Sequence, residues 1–149
     1  MKNILQIKNN VPIRLNRSEL AVPGSRVEIF EKAAEGDSDI VFLDLEDSVA
    51  FEKKEKARKN VIEAIQDIRW NKKTLSVRVN SIESEFFKKD LSELLKIKNS
   101  RLDLIMLPKV NSKDDIIKVE NAVFKMEKQN STKKKVGFEL IIETAQGLM

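Results

Sequence analysis

Ile40-Val41-Phe42-Leu43-Asp44-Leu45-Glu46-Asp47-Ser48 decides the fold of this chain. An apolar, β-favouring run closes on three carboxylates within four residues. A strand that is apolar along its length is covered on both faces, as in a parallel sheet flanked by helices. Charge confined to its C-terminal end marks the edge where parallel α/β folds build their sites. Upstream, Ser18 to Gly24 reads as a short strand stopped by Pro23-Gly24. Ser25 with Glu28 then reads as a capping box opening a helix, with Val27, Phe30 and Ala34 on one face and Glu35-Gly36-Asp37 ending it.

Downstream, a lysine-rich helix is expected over 52–68, striped by Ala57, Val61, Ala64 and Ile68. Residues 75–80 alternate apolar and polar with period two, a strand. Phe87, Leu91, Leu94 and Leu95 stripe the next helix, and 102–107 is another strand ended by Pro108-Lys109. Ser112 with Asp115 forms a second expected capping box, followed by the stripe Ile116, Val119, Val123, Met126. Residues 129–135 read as a polar loop and 136–142 as a fifth strand. The resulting order, β-α-β-α-β-α-β-α-β, implies parallel strands with right-handed crossovers. The pattern leaves two closures open, a doubly wound sheet or part of a (β/α)₈ barrel. No G-x-G-x-x-G follows the first strand, which argues against dinucleotide binding.

The chain has 149 residues, 41% of them hydrophobic and 35% charged, which suits one globular domain. Its net charge of +4 comes from lysines spread along amphipathic segments, and aromatics are scarce, so a nucleic-acid partner is not expected. There is no cysteine and no histidine, which removes disulfides, thiolate chemistry and the commonest general base and metal ligand. No run is long and apolar enough for a membrane span, and residues 1–16 lack the apolar core of a secretory signal. The expectation is a cytoplasmic protein with a polar arm over 1–16 and its domain over 17–149.

Chemistry must therefore come from carboxylates, Lys, Arg, Ser or Thr. These gather at successive strand ends: Asp44, Glu46 and Asp47; Arg78 and Asn80; Lys109; Glu143. On a pleated strand Asp44 shares a face with Glu46, and Arg78 with Ser76 and Asn80. Each charge alone could end a strand for structural reasons, and Arg78 could simply pair with Glu46. Together they suit Mg²⁺, which needs only one or two protein carboxylates, beside an Arg fork for a substrate carboxylate. That points to metal-assisted chemistry on a carboxylated carbonyl compound.

Five motifs carry a resemblance. Arg17-Ser18-Glu19-Leu20-Ala21-Val22-Pro23-Gly24-Ser25, Leu43-Asp44-Leu45-Glu46-Asp47-Ser48-Val49-Ala50, Val77-Arg78-Val79-Asn80, Ile105-Met106-Leu107-Pro108-Lys109-Val110 and Ile142-Glu143-Thr144-Ala145-Gln146-Gly147 resemble, in order and spacing, the HpcH/HpaI aldolase and citrate lyase β-subunit family, which includes the malyl-CoA lyases. The resemblance implies a TIM barrel of which the first five strands and four helices are present. It implies a C–C lyase that cleaves or forms a β-hydroxyacyl-CoA, such as malyl-CoA or citryl-CoA, from acetyl-CoA and a 2-oxo acid.

It further implies Glu143 as a Mg²⁺ ligand, with Mn²⁺ as an alternative ion, and Arg78 as the residue binding the oxo acid and its developing alkoxide. Glu46 and Asp47 would orient Arg78 or the metal-bound waters. Arg17 would lie near substrate or the CoA phosphates, and Lys109 near substrate or as a cap on the mouth. The resemblance also implies assembly as a homo-trimer or hexamer. Arg78→Ala is expected to abolish turnover and spare the fold. A complete barrel runs to about 250 residues, so this chain is expected to be part of a longer product, a partner subunit, or a non-catalytic remnant with little activity of its own. A class II aldolase acting on free hydroxy-oxo acids is the other enzymatic alternative, disfavoured by the lack of histidine.

Overall fold

The computed structural model describes residues 14–98, 100–130 and 136–149. Its strands are β1 (Glu19–Pro23), β2 (Ile40–Asp44), β3 (Thr74–Arg78), β4 (Leu104–Leu107) and β5 (Gly137–Leu140). They form one parallel sheet in the order β1-β2-β3-β4-β5. Between them come α1 (Phe30–Glu35), α2 (Lys54–Asp67), α3 (Phe87–Leu94) and α4 (Lys113–Gln129), with a short α5 (Ala145–Leu148) after β5. This is the expected alternation, and the strand order chooses between the two closures. A doubly wound sheet reverses its order at a switch point. Here each strand lies beside the next in sequence, the winding of a barrel wall.

Val41, Leu43, Leu75, Val77, Ile105 and Leu107 are fully buried in one core with Phe30, Ala57, Val61, Ala64, Leu91, Leu94, Val119 and Val123 from the helices. The alternate strand positions carry Phe42, Ser76, Met106 and Glu139 on the other face, the inside of the barrel wall. The apolar stripes thus do what their spacing predicts. The capping box at Ser112 and Asp115 forms with both of its hydrogen bonds. The one expected at Ser25 does not, because the chain enters α1 through a 3₁₀ turn at Val27–Ile29 with no side-chain cap. Glu28 pairs with Arg26 instead, and Val27 is 53% exposed.

Two glycines have steric reasons. A side chain at Gly24 would come within 2.8 Å of the Asp44 carbonyl oxygen and 2.9 Å of Val61, so glycine lets the turn after β1 cross the end of β2. A Cβ at Gly147 would lie 2.1 Å from the Val110 carbonyl oxygen, locking the Glu143-Thr144-Ala145-Gln146-Gly147 turn against the loop after β4. Of the expected arm, residues 1–13 lie outside the described residues. Arg14 donates to the Lys73 carbonyl and to Asp103, and Asn16 accepts from Thr74, so residues 14–16 are part of the sheet's lower edge. Of the expected polar loop, 129 and 130 belong to the end of α4 and 131–135 lie outside the described residues. No helix among the described residues is long and apolar enough to cross a membrane.

Candidate active site

The register of β2 against β3 sets Asp44 beside Arg78 at the C-terminal edge. Arg78 donates Nε–H to Asp44 Oδ1 at 2.8 Å and Nη2–H to Oδ2 at 2.6 Å, a two-pronged fork. Asp44 is 1% exposed and also accepts from the backbone N–H groups of Glu46 and Ser48. Burial pushes its carboxyl up, and the bonds from Arg78, Ser48 and the two amides more than offset this, leaving it below the usual aspartate range. Asp44 therefore braces the loop and spends both of its oxygens on Arg78 and the loop amides. The guanidinium sits over Phe42, 5.6 Å from the ring centroid, and its bond to Asp44 holds it above the ordinary arginine value.

The loop after β2 brings the other acids. Glu46 is 5% exposed; its Oε2 stands 3.4 Å from Arg78 Nη1 but accepts no hydrogen bond. Asp47 lies at the open rim, 3.9 Å from the same nitrogen. Lys54, at the start of α2, donates its ammonium to the carbonyls of Leu45 and Glu46 at 2.8 and 2.6 Å, clamping the loop from behind. Burial lowers the Lys54 ammonium, against the pull of Asp44 and Glu46.

Lys109 joins this wall to β5. Its Nζ donates to Glu46 Oε1 at 2.5 Å and Asp47 Oδ1 at 3.3 Å, and its backbone N–H donates to Glu143 Oε1 at 2.9 Å. The bond to Glu46 raises the ammonium above the ordinary lysine value. Lys109 has φ of 53°, a left-handed conformation uncommon for a residue with a side chain and found disproportionately at functional sites. Below Glu143, Thr144 donates Oγ1–H to Asn111 Oδ1 and accepts from the Gly147 N–H, which fixes the turn. A cavity of about 410 Å³ opens beside Lys109 and Glu143, lined also by Ser81, Asn111, Lys118 and Thr144.

Arg78, Glu46, Asp47, Lys109 and Glu143 are thus brought to one edge. Arg17 is not. It precedes β1, at the N-terminal edge, and forks onto Asp39 with contacts of 2.9 and 3.0 Å. Pro23 at the mouth is six residue steps of extended chain further on, roughly 20 Å. Asn80 also leaves the mouth: it is buried and gives both its backbone and side-chain N–H groups to Asp90 on α3, which in turn binds Arg58 of α2. Asp44 as the fork partner of Arg78, in place of the expected Glu46, could have been read from its position. An aspartate followed by free amides two and four residues on is a turn-capping signal. Lys54 carried no such signal. Glu139, whose Oε2 accepts from Ser76 Oγ at 3.3 Å inside the wall, was hidden by its place in mid-strand.

A profile of the HpcH/HpaI aldolase/citrate lyase family matches residues 17–149. The L-malyl-CoA/beta-methylmalyl-CoA lyase of Rhodobacter capsulatus is 46% identical over 137 residues, 92% of this chain and 43% of that protein. The citrate lyase beta subunit of Mycobacterium tuberculosis complexed with oxaloacetate and magnesium superposes with a TM-score of 0.63 at 28% identity, covering 87% of this chain and 48% of that one. The protein CitE of Mycobacterium tuberculosis in complex with magnesium, acetoacetate and coenzyme A matches with a TM-score of 0.63 at 28% identity, over 89% and 43% of the two chains. This chain spans less than half the length of those relatives. With its five motifs in register on a barrel wall of the same winding, it belongs to the HpcH/HpaI aldolase/citrate lyase family.

Proposed function

We propose that this chain is the N-terminal portion of a cytoplasmic, Mg²⁺-dependent carbon–carbon lyase acting on a β-hydroxyacyl-CoA such as malyl-CoA. The reading rests above all on Arg78, held in the mouth by Asp44 beside Glu46, Lys109 and Glu143. The relatives named for malyl-CoA lysis, and the neighbour holding coenzyme A, support the CoA ester over a free hydroxy-oxo acid.

Magnesium prefers oxygen ligands and needs few from the protein. The mouth offers Glu143 and the buried, hydrogen-bond-free Oε2 of Glu46. Among the described residues no three acids stand close enough to hold a cation by themselves. This donor set fits an ion that draws its remaining ligands from water and substrate. Glu143 would hold it, with Glu46 and Asp47 ordering its waters. When bound, the ion would polarise the 2-oxo carbonyl and stabilise developing enolate charge. Arg78 supplies the neighbouring positive charge. Its Nε/Nη2 edge is occupied by Asp44, so Nη1 is left to meet a substrate oxygen. The two-pronged grip on a substrate carboxylate suggested by the residue type alone is therefore replaced by one aimed nitrogen.

Assembly as a homo-trimer or hexamer is part of the proposal; exposed Ile117, Phe124, Ile142 and Leu148 leave apolar surface for contacts. The test is glyoxylate, the oxo acid that cleavage of malyl-CoA releases, titrated into the chain in the presence of MgCl₂. Wild type should bind, and Arg78→Lys, which keeps the charge but loses the fork, should bind on the order of a hundredfold more weakly. Equal binding by the two, or none by wild type, overturns the reading. A partner subunit without chemistry of its own is the second reading, favoured because among the described residues Glu143 is the one carboxylate assigned to the metal and β1 and β5 each pair on one side only. A reading frame that runs on past Met149 into further β/α units carrying a second metal carboxylate supports the first reading, and a stop codon there supports the second.

A further inference from the structure

We propose that the Lys109 ammonium is a built-in counter-cation of the mouth, competing with the divalent ion for the same acidic wall. The inference rests on the reading that this mouth binds magnesium. One residue, Lys109, reaches all three of the acids that Asp44 leaves available. Its ammonium holds Glu46 and Asp47, and its backbone N–H holds Glu143. The two contacts come from opposite ends of the residue, and the left-handed turn at φ 53° is what lets them diverge to β2 and β5 at once. For a residue with a Cβ that turn carries a steric cost, so the contacts it makes must offset it.

Charge counting gives the same direction. Asp44, Glu46 and Asp47 face Arg78 and Lys109, and Glu143 adds a fourth carboxylate on the Lys109 backbone N–H, whereas the Lys54 ammonium is turned to backbone carbonyls. Two cations against four carboxylates leave room for one divalent ion. With Lys109 seated, its positive charge opposes the incoming ion and its N–H holds a lone pair of the ligand Glu143. Without the ammonium, Arg78 alone opposes the wall and the acids are free to draw a cation. Metal binding and Lys109 seating are then negatively coupled, and each weakens the other by the same factor.

The experiment is calorimetric titration of MgCl₂ into the wild-type chain, Lys109→Met, Lys109→Arg and Glu143→Gln. Met keeps the stem and the backbone cost while removing the charge; because buried Glu46 loses its hydrogen-bonded partner, chemical denaturation of the variant accompanies the titration to show that it is folded. Lys109→Met should bind magnesium on the order of tenfold more tightly, and Lys109→Arg should stay near wild type. Unchanged or weaker binding by Lys109→Met, with Glu143→Gln still weakened, overturns the competition and leaves the metal assignment standing. If wild type takes no magnesium, or Glu143→Gln binds as well as wild type, the metal reading itself falls and this inference with it.

Discussion

The two edges of the sheet are both held by ion pairs, but they are built to different ends. At the N-terminal edge the charges are spent. Arg17 forks onto Asp39, Arg14 and Arg101 share Asp103, and the Lys73 ammonium caps the carbonyls of Gly36 and Ser38. At the C-terminal edge acids outnumber the cations that reach them. One Glu46 oxygen is buried without a hydrogen bond, and Lys109 is held in a left-handed turn. The lower edge closes its contacts within itself and serves stability. The upper edge keeps a buried carboxylate oxygen without a hydrogen bond, which persists in folded proteins where function requires it.

The sharpest way to break this contrast is at the fork. Arg78→Ala leaves Asp44 buried without its guanidinium, and losing one partner of a buried pair costs about 3–5 kcal/mol. Chemical denaturation should show that loss, so the expectation that this substitution spares the fold is corrected by the burial of Asp44. A loss under 1 kcal/mol would mean that the pair is open to water. Next comes Asp103→Asn at the lower edge. Asp103 accepts from Arg14, Arg101 and the Leu75 N–H. Replacing it should lower stability by about 1–3 kcal/mol while leaving magnesium and glyoxylate binding unchanged. Binding that falls together with stability would show that the edges are not separable.

The smallest effect is on a single titration. Beside Arg17, the Asp39 carboxyl is lowered to about 2. A carboxylate lowered in the folded state contributes stability above its unfolded value of about 3.9. That contribution is lost as pH falls through the folded value. In Arg17→Ala, NMR titration should find Asp39 back near the ordinary aspartate value, with glyoxylate binding intact. If binding fell instead, Arg17 would belong to the substrate after all, despite its place at the far edge.

Much of this was legible in the residues alone. Periodicity gave the helices and strands because which face of an element is apolar depends on neighbours a few positions away. Val61 and Ala64 on α2, or Leu75 and Val77 on β3, announce their burial by spacing. The motif ends named Arg78, Glu46, Lys109 and Glu143 as one group because parallel strands deliver their C-termini to one edge.

What the chain could not declare by itself is who meets whom across the sheet. The Asp44–Arg78 fork depends on a register between strands 34 residues apart. The turning of Asn80 toward Asp90 depends on where α3 packs, and the clamp by Lys54 on how α2 lies behind the loop. The opening stretch, Ile40 to Ser48, determined by its own residues that a buried strand would end in acid. Only the tertiary structure decided that its first acid braces the site and that the next two are left for Arg78 and Lys109. Local pattern follows from sterics and hydrophobic spacing along the chain, whereas partner choice is settled by packing between segments that the sequence keeps apart.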